Sequence, residues 1–136
     1  MTATPFRHPF TIPFHEVDAA GVLFFGHLFS HYHEAWEALL ESIGHPLPAL
    51  LEAGEVALPI AHAEADFHRP IRHGERLCME LRVEEIGERR FTLEGRCVDE
   101  GGQPRATLRS VHVAVAASGG PAALPPALRQ ALEGVG

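Results

Sequence analysis

Asp18 is followed, seven residues on, by Phe25-Gly26, where the sequence turns helical. Between them runs Ala19-Ala-Gly21-Val-Leu-Phe24. The first turn of a helix has backbone N–H groups without intrahelical acceptors and a partial positive charge. Such an end can hold an oxyanion. A loop this short can fold the Asp18 carboxylate back over the same spot. An acid and an N–H donor converging on one point suit acyl hydrolysis. The donor, Phe25 or Gly26 N–H, polarises the carbonyl, and the carboxylate attacks it or takes a proton from water. On local chemistry alone, a loop or N-cap role is the commoner reading of such an aspartate.

The elements that must position this pair are legible as patterns. Phe10 to Val17 mixes aromatic, β-branched and polar residues and suggests a first strand. From Gly26 to Ile43, Phe29, Tyr32, Trp36, Leu39, Leu40 and Ile43 recur at spacings of three and four, which predicts a helix stopped by Gly44 and Pro46. A connecting segment from Leu47 to Glu55 has room for a short helical turn. Strand patterns follow at Val56 to Phe67, Leu77 to Val83, Phe91 to Val98 and Ala106 to Ala116, with Val111, Val113 and Val115 on one face of the last. A Pro- and Ala-rich tail, 119–136, has a short helix pattern from Pro126 to Leu132. Short links between strands imply antiparallel pairing. The expected fold is a single α+β domain over 1–136, an antiparallel five-stranded sheet wrapped around one long helix, which is the hotdog arrangement. Such a sheet leaves an edge strand that a second subunit can cover, so a homodimer or homotetramer is expected.

The run Glu16-Val-Asp18-Ala-Ala-Gly21-Val-Leu-Phe24 resembles the signature of the 4-hydroxybenzoyl-CoA thioesterase family, an Asp-Thr-Asp-x-x-Gly-Val-Val-Tyr stretch ahead of a helix carrying a Glu, here Glu34. Asp66-Phe-His-Arg-Pro70 and Gly74 resemble the family's later strand and turn. His33-Glu-Ala-Trp-Glu37 and Leu58-Pro-Ile-Ala-His-Ala63 are most similar to the branch that hydrolyses 1,4-dihydroxy-2-naphthoyl-CoA. The resemblance spans residues 8 to 116. It implies an acyl-CoA thioesterase with Asp18 as the catalytic acid and the Phe25 backbone N–H, with Gly26 beside it, as donor to the thioester oxygen. Glu16 stands where many relatives have Asp. Phe14 and Phe24 stand where Tyr is common, and Phe25 where some branches have His. Those changes remove side-chain help, keep the backbone donor, and make the entrance suit an aromatic acyl group.

The remaining candidates concern substrate. Phe24, His27 and Glu34 are placed to meet it. CoA carries phosphates, which Arg side chains recognise. Arg89-Arg90 at a turn is one candidate pair, and Arg69 and Arg72 are others. CoA belongs to the substrate, so no cofactor is implied. His27 and His31 share a helical face at a spacing that metal ligands use, but no carboxylate completes an HExxH pattern, and no metal is expected. A non-catalytic acyl-CoA sensor and a thioesterase for short or medium aliphatic acyl groups remain open. A hydratase on the same fold needs a different loop signature.

Composition narrows the setting. The net charge of −7 argues against a nucleic-acid surface. No apolar run approaches the ~20 residues that span a bilayer, and a secretory leader pattern is missing, so a cytoplasmic protein is expected. Cys78 and Cys97 form no zinc pattern and read as buried or half-buried thiols.

Overall fold

The computed structural model describes residues 4–135; residues 1–3 and 136 of the expected domain lie outside the described residues. In chain order the elements are β1 (Phe6–Thr11), a 3-10 turn (Phe14–Glu16), α1 (Phe25–Ser42), α2 (Leu47–Ala53), β2 (Val56–Ala57), β3 (Ile60–Phe67), β4 (Arg76–Glu84), β5 (Arg90–Asp99), β6 (Pro104–Val113), β7 (Val115–Ala116) and α3 (Pro126–Glu133). Five strands form one sheet in the order β1-β4-β5-β6-β3, antiparallel throughout. This is the expected α+β hotdog architecture. β2 and β7 pair separately as a two-stranded ribbon.

α1 lies across the sheet and is on the order of 27 Å long. Leu28, Tyr32, Ala35, Trp36, Leu39 and Leu40 are buried, against Leu77, Met79, Leu81, Phe91, Leu93 and Leu108 of the sheet. Each fully buried Leu contributes about 2 kcal/mol by leaving water. The helix stops where expected. Gly44 has a φ of +86°, its N–H donates to the Glu41 carbonyl at 3.2 Å, and the His45 N–H donates to the Leu40 carbonyl at 2.9 Å. That is a Schellman end, which a residue with a Cβ would strain.

Several boundaries differ from the sequence pattern. β1 runs Phe6–Thr11 rather than Phe10 to Val17. Pro13 has no N–H to continue the ladder, and the chain turns into the short 3-10 segment. The single strand expected from Val56 to Phe67 is broken at Pro59 into β2 and β3. The last strand is interrupted at Ala114, where its outer partner changes from β3 to β2, while the Ala114 N–H still donates to the Arg89 carbonyl at 2.7 Å in register with β5. The segment after α1 is a full helix, α2. The tail is part of the body of the fold, because Leu124, Leu128 and Leu132 are buried in the core. On β6 the face that meets α1 carries Ala106, Leu108, Ser110 and His112; Val111 and Val113 lie on the other, half-buried face.

Two polar features sit under α1. The Tyr32 ring packs over Gly95, where an ideal Cβ would lie 2.6 Å from the ring. Gly95→Ala should therefore cost about 2 kcal/mol by overpacking, read in urea unfolding; a change below about 0.5 kcal/mol would show that the ring moves freely. His112 is buried and its pKa falls from 6.5 to about 4 because burial disfavours the imidazolium. The folded protein holds it neutral while the unfolded chain protonates it. Its stabilising contribution is complete above pH 6.5 and is lost as pH falls towards 4. Melting temperature should drop over that window, and His112→Phe should flatten the drop.

Candidate active site

β1 delivers the chain to the 3-10 turn, and from Val17 it doubles back to the start of α1. The doubling is a small hairpin. Val17 and Leu23 form an antiparallel bridge, the Asp18 N–H donates to the Val22 carbonyl at 2.9 Å, and the Gly21 N–H donates to the Asp18 carbonyl at 2.9 Å. Gly21 takes a φ of +76°, a conformation other residues resist. Asp18 Oδ1 accepts the N–H groups of Ala20, at 2.9 Å, and Val22, at 3.2 Å. Both bonds use one carboxylate oxygen, and Oδ2 receives neither. The side chain is exposed.

The hairpin is tied to the helix start at both ends. The Phe24 N–H donates to the Glu16 carbonyl at 2.9 Å, and the Leu23 N–H to the Ile71 carbonyl at 2.7 Å. Phe24 occupies the N-cap of α1 in an extended conformation, with no side-chain cap. His27 N–H turns back to the Phe24 carbonyl at 3.0 Å. Among the described residues, no acceptor takes the N–H of Phe25 or Gly26. Phe25 lines a cleft of about 370 Å³ with Leu23, Phe67, Arg69 and Ile71. Phe24 and Phe25 are 51% and 60% exposed, with ring centroids 4.9 Å apart, and His27 stands edge-on to Phe24 at 5.9 Å. Phe24, Phe25 and His27 thus cluster around two unpaired donors, with an acid on the adjoining loop.

The other expected residues lie elsewhere in the chain. Glu34 is nine residues past Phe25, on the order of 13 Å along the axis. It lines a groove of about 440 Å³ between α1 and β3, with Phe29, Tyr32 and Ile60. Arg89 and Arg90 sit at the β4–β5 turn. The Asp18 loop follows the opposite end of β1, where Thr11 pairs with Arg76. A strand of β4's length separates these ends by roughly 25–30 Å. Arg69 and Arg72 lie at the end of the Asp18 hairpin, since Arg72 bridges Val22 and Arg69 lines the Phe25 cleft.

Sequence reasoning assigned Glu16 and His31 no part in holding the site, and the structure pairs them. Glu16 is 9% exposed and His31 is 7% exposed, and His31 Nε2 lies 2.5 Å from Glu16 Oε1. His31 stacks on Phe10 with centroids 4.5 Å apart. Its Nδ1 has no hydrogen-bond partner, and the nearest carboxylate oxygen is Glu34 Oε2 at 4.0 Å. So His31 is engaged under the helix rather than sharing a metal with His27. Among the described residues no group of three or more His, Cys, Asp or Glu side chains could hold a metal ion. The signal was available: Leu28, His31, Ala35 and Leu39 follow the buried stripe of α1.

A long helix laid on an antiparallel sheet, entered through a tight acidic hairpin, defines the class as a hotdog domain. The chain belongs to the thioesterase-like superfamily, whose pattern it matches over residues 12–132. It is 41% identical over 103 residues to the 1,4-dihydroxy-2-naphthoyl-CoA hydrolase of Synechococcus elongatus, covering 75% of each protein. It is 44% identical over 99 residues to the enzyme of that name from Prochlorococcus marinus, covering 65% of each. The crystal structure of a 1,4-dihydroxy-2-naphthoyl-CoA thioesterase from Synechocystis superposes with a TM-score of 0.88 at 29% identity, over 93% of this chain and 94% of that one.

The Glu16–His31 pair ties the turn before Asp18 to α1. Removing one partner of a buried pair strands the other. Glu16→Ala is expected to cost about 3 kcal/mol in urea unfolding, and Glu16→Gln less than half as much because an acceptor remains. Equal, sub-kilocalorie losses in both variants would show that the pair does not anchor the turn.

Proposed function

We propose that this chain hydrolyses an aromatic acyl-CoA, of the hydroxybenzoyl or dihydroxynaphthoyl kind, to the free acid and CoA. The observation that carries the reading is the pair of unpaired N–H groups at Phe25 and Gly26 beside the Asp18 hairpin. The curated relatives' names support the aromatic acyl group. So does the exposed Phe24–Phe25 pair at the helix start.

In this reading the thioester oxygen accepts the Phe25 N–H, with Gly26 beside it. Negative charge that builds on that oxygen meets the positive end of α1. Asp18 either takes a proton from an attacking water or attacks the carbonyl itself, forming an anhydride that water then opens. The C–S bond breaks, the thiolate of CoA takes up a proton, and the acid is released. The Ala20 and Val22 N–H groups hold Asp18 by Oδ1, which leaves Oδ2 for the reaction. Arg69 and Arg72 are the CoA phosphate candidates within one chain.

The reading includes a dimer formed along β3. The two sheet edges differ. β1 contains Pro9, which has no N–H to offer, and carries the Arg7–Glu80 ion pair. β3 has eight residues, no proline, and Ile60 and Phe67 each 44% exposed. An edge of that length is a pairing template. Pairing there would cover the groove that Glu34 lines, and offers the route by which Glu34, Arg89 or Arg90 could reach a partner's substrate.

The test is thiol release from a panel of 4-hydroxybenzoyl-, 1,4-dihydroxy-2-naphthoyl- and straight-chain acyl-CoAs. Aryl thioesters should be preferred. Asp18→Asn should lower kcat by at least about 10²-fold with KM little changed. Faster turnover of the straight-chain substrates would overturn the aromatic assignment. Full activity in Asp18→Asn would overturn the role of the acid.

A further inference from the structure

The crossing from β3 to β4, residues 68–75, contains neither a helix nor a strand of the sheet. The polar groups of such a backbone must be met from elsewhere. One residue of β6 meets many of them. The Arg105 carbonyl accepts the N–H groups of His68, at 2.8 Å, and Arg69, at 3.3 Å. The Arg105 guanidinium donates through Nη1 to the Pro70 carbonyl at 2.9 Å and to Glu75 Oε1 at 3.1 Å. Its Nη2 donates to Glu75 Oε2, and its Nε to Asp99 Oδ2 at 3.0 Å. Glu75 Oε1 in turn accepts the Arg72 N–H at 2.8 Å.

All the guanidinium nitrogens of Arg105 are thus engaged within the protein, and its side chain is only 16% exposed. It has little left for a ligand. Arg69 and Arg72 are the reverse. Both are exposed, and among the described residues neither guanidinium has a carboxylate partner. Both stand at the end of the sheet where α1 begins, as the Phe25 cleft and the Val22 bridge show. A free guanidinium pairs well with a phosphate. It does so at less entropic cost when its backbone is already fixed. The backbone on either side of both arginines is fixed through Arg105: at the Arg69 N–H, at the Pro70 carbonyl and, by way of Glu75, at the Arg72 N–H.

We infer that Arg105 is a positioning residue for CoA recognition: it holds residues 69–72 so that the Arg69 and Arg72 guanidiniums meet the phosphates of CoA, and it touches no substrate atom itself. This role rests on the acyl-CoA reading for the identity of the phosphates and not on the part played by Asp18. The Asp18 hairpin has further anchors, at the Glu16 carbonyl and in its own Asp18–Val22 bonds, so the effect of Arg105 falls on affinity and not on the chemical step. Lysine in its place keeps the charge, but one ammonium cannot span Pro70, Glu75 and Asp99 at once. The bonds from Arg105 hold the Glu75 carboxyl below its usual range, so the fork is ionised at neutral pH.

The test compares kcat/KM for 4-hydroxybenzoyl-CoA with kcat/KM for 4-hydroxybenzoyl-pantetheine, which has the same thioester and lacks the phosphates. A merely loosened fold lowers both and leaves their ratio. Arg105→Lys should lower the ratio about tenfold, through KM for the CoA substrate. Glu75→Gln, a milder change that keeps an acceptor for the Arg72 N–H, should lower it about threefold. Arg72→Ala should lower it about tenfold in the wild type and less than about threefold in the Arg105→Lys background, because the two act as one. Calorimetric titration with CoA alone needs no turnover, and Arg105→Lys should weaken that binding about tenfold. In wild-type protein the Arg69 and Arg72 amide resonances should move on adding CoA and stay on adding pantetheine. An unchanged ratio in Arg105→Lys and Glu75→Gln, additive losses in the double variant, or amides that CoA leaves in place would overturn the inference. An intact ratio in an active enzyme leaves the hydrolase reading standing. CoA binding that Arg105→Lys weakens, in a protein that hydrolyses neither thioester, supports the role of Arg105 and overturns the hydrolase reading.

Discussion

A helix N-terminus presents donors that something must meet, and α1 meets those of Phe25 and Gly26 with neither a side-chain cap nor a backbone acceptor. A missing cap costs helix stability of about 1 kcal/mol. Burial of Leu28, Tyr32, Trp36, Leu39 and Leu40 against the sheet outweighs that several times over. The helix therefore stays formed with its positive end open. The remaining local structure holds an acid on the hairpin that leads into that end. The Phe24 N–H is fastened to Glu16, Glu16 to His31, and Asp18 to its own loop through Ala20 and Val22.

The same core shows how polar groups are used away from the helix start. Tyr32, Ser110 and His112 lie under α1, where an unsatisfied polar atom is costly. The Tyr32 hydroxyl donates to the Leu93 carbonyl, so Ser110 donates to Tyr32 and accepts from His112 Nε2, and the three bonds run in one direction. Burial also drives the Tyr32 hydroxyl well above its usual range, because the phenolate would be desolvated. The chain is thus locked as neutral groups in one tautomer. The Glu16–His31 contact uses a buried polar pair differently, to fasten the turn before the Asp18 hairpin to α1.

Much of this was legible in the sequence, and the misses have physical causes. The long helix, its glycine stop and the half-buried β4 follow from periodicities that tertiary packing reinforced. The family and the acyl-CoA chemistry followed from the motif around Asp18. Strand limits failed where proline ended a ladder, at Pro13 and Pro59, and where the last strand changes partner from β3 to β2, at Ala114. On β6 the valines stood out, yet the sheet buries the face with Ser110 and His112, because small polar groups fit beneath Tyr32. The anchoring role of His31 was hidden because its spacing from His27 was visible and its contact with Glu16, fifteen residues earlier, was not. Arg89 and Arg90 could not be separated from Arg69 and Arg72 without knowing which end of the sheet each turn occupies.

The account turns on where a thioester carbonyl comes to rest. A crystal structure with a non-hydrolysable aryl-CoA analogue, a ketone in which CH₂ replaces sulfur, reads that position directly. The carbonyl oxygen should lie about 3 Å from the Phe25 nitrogen, with Asp18 Oδ2 facing the carbonyl carbon from the hairpin. An analogue seated with its carbonyl away from the start of α1, and Asp18 turned to solvent, would contradict it.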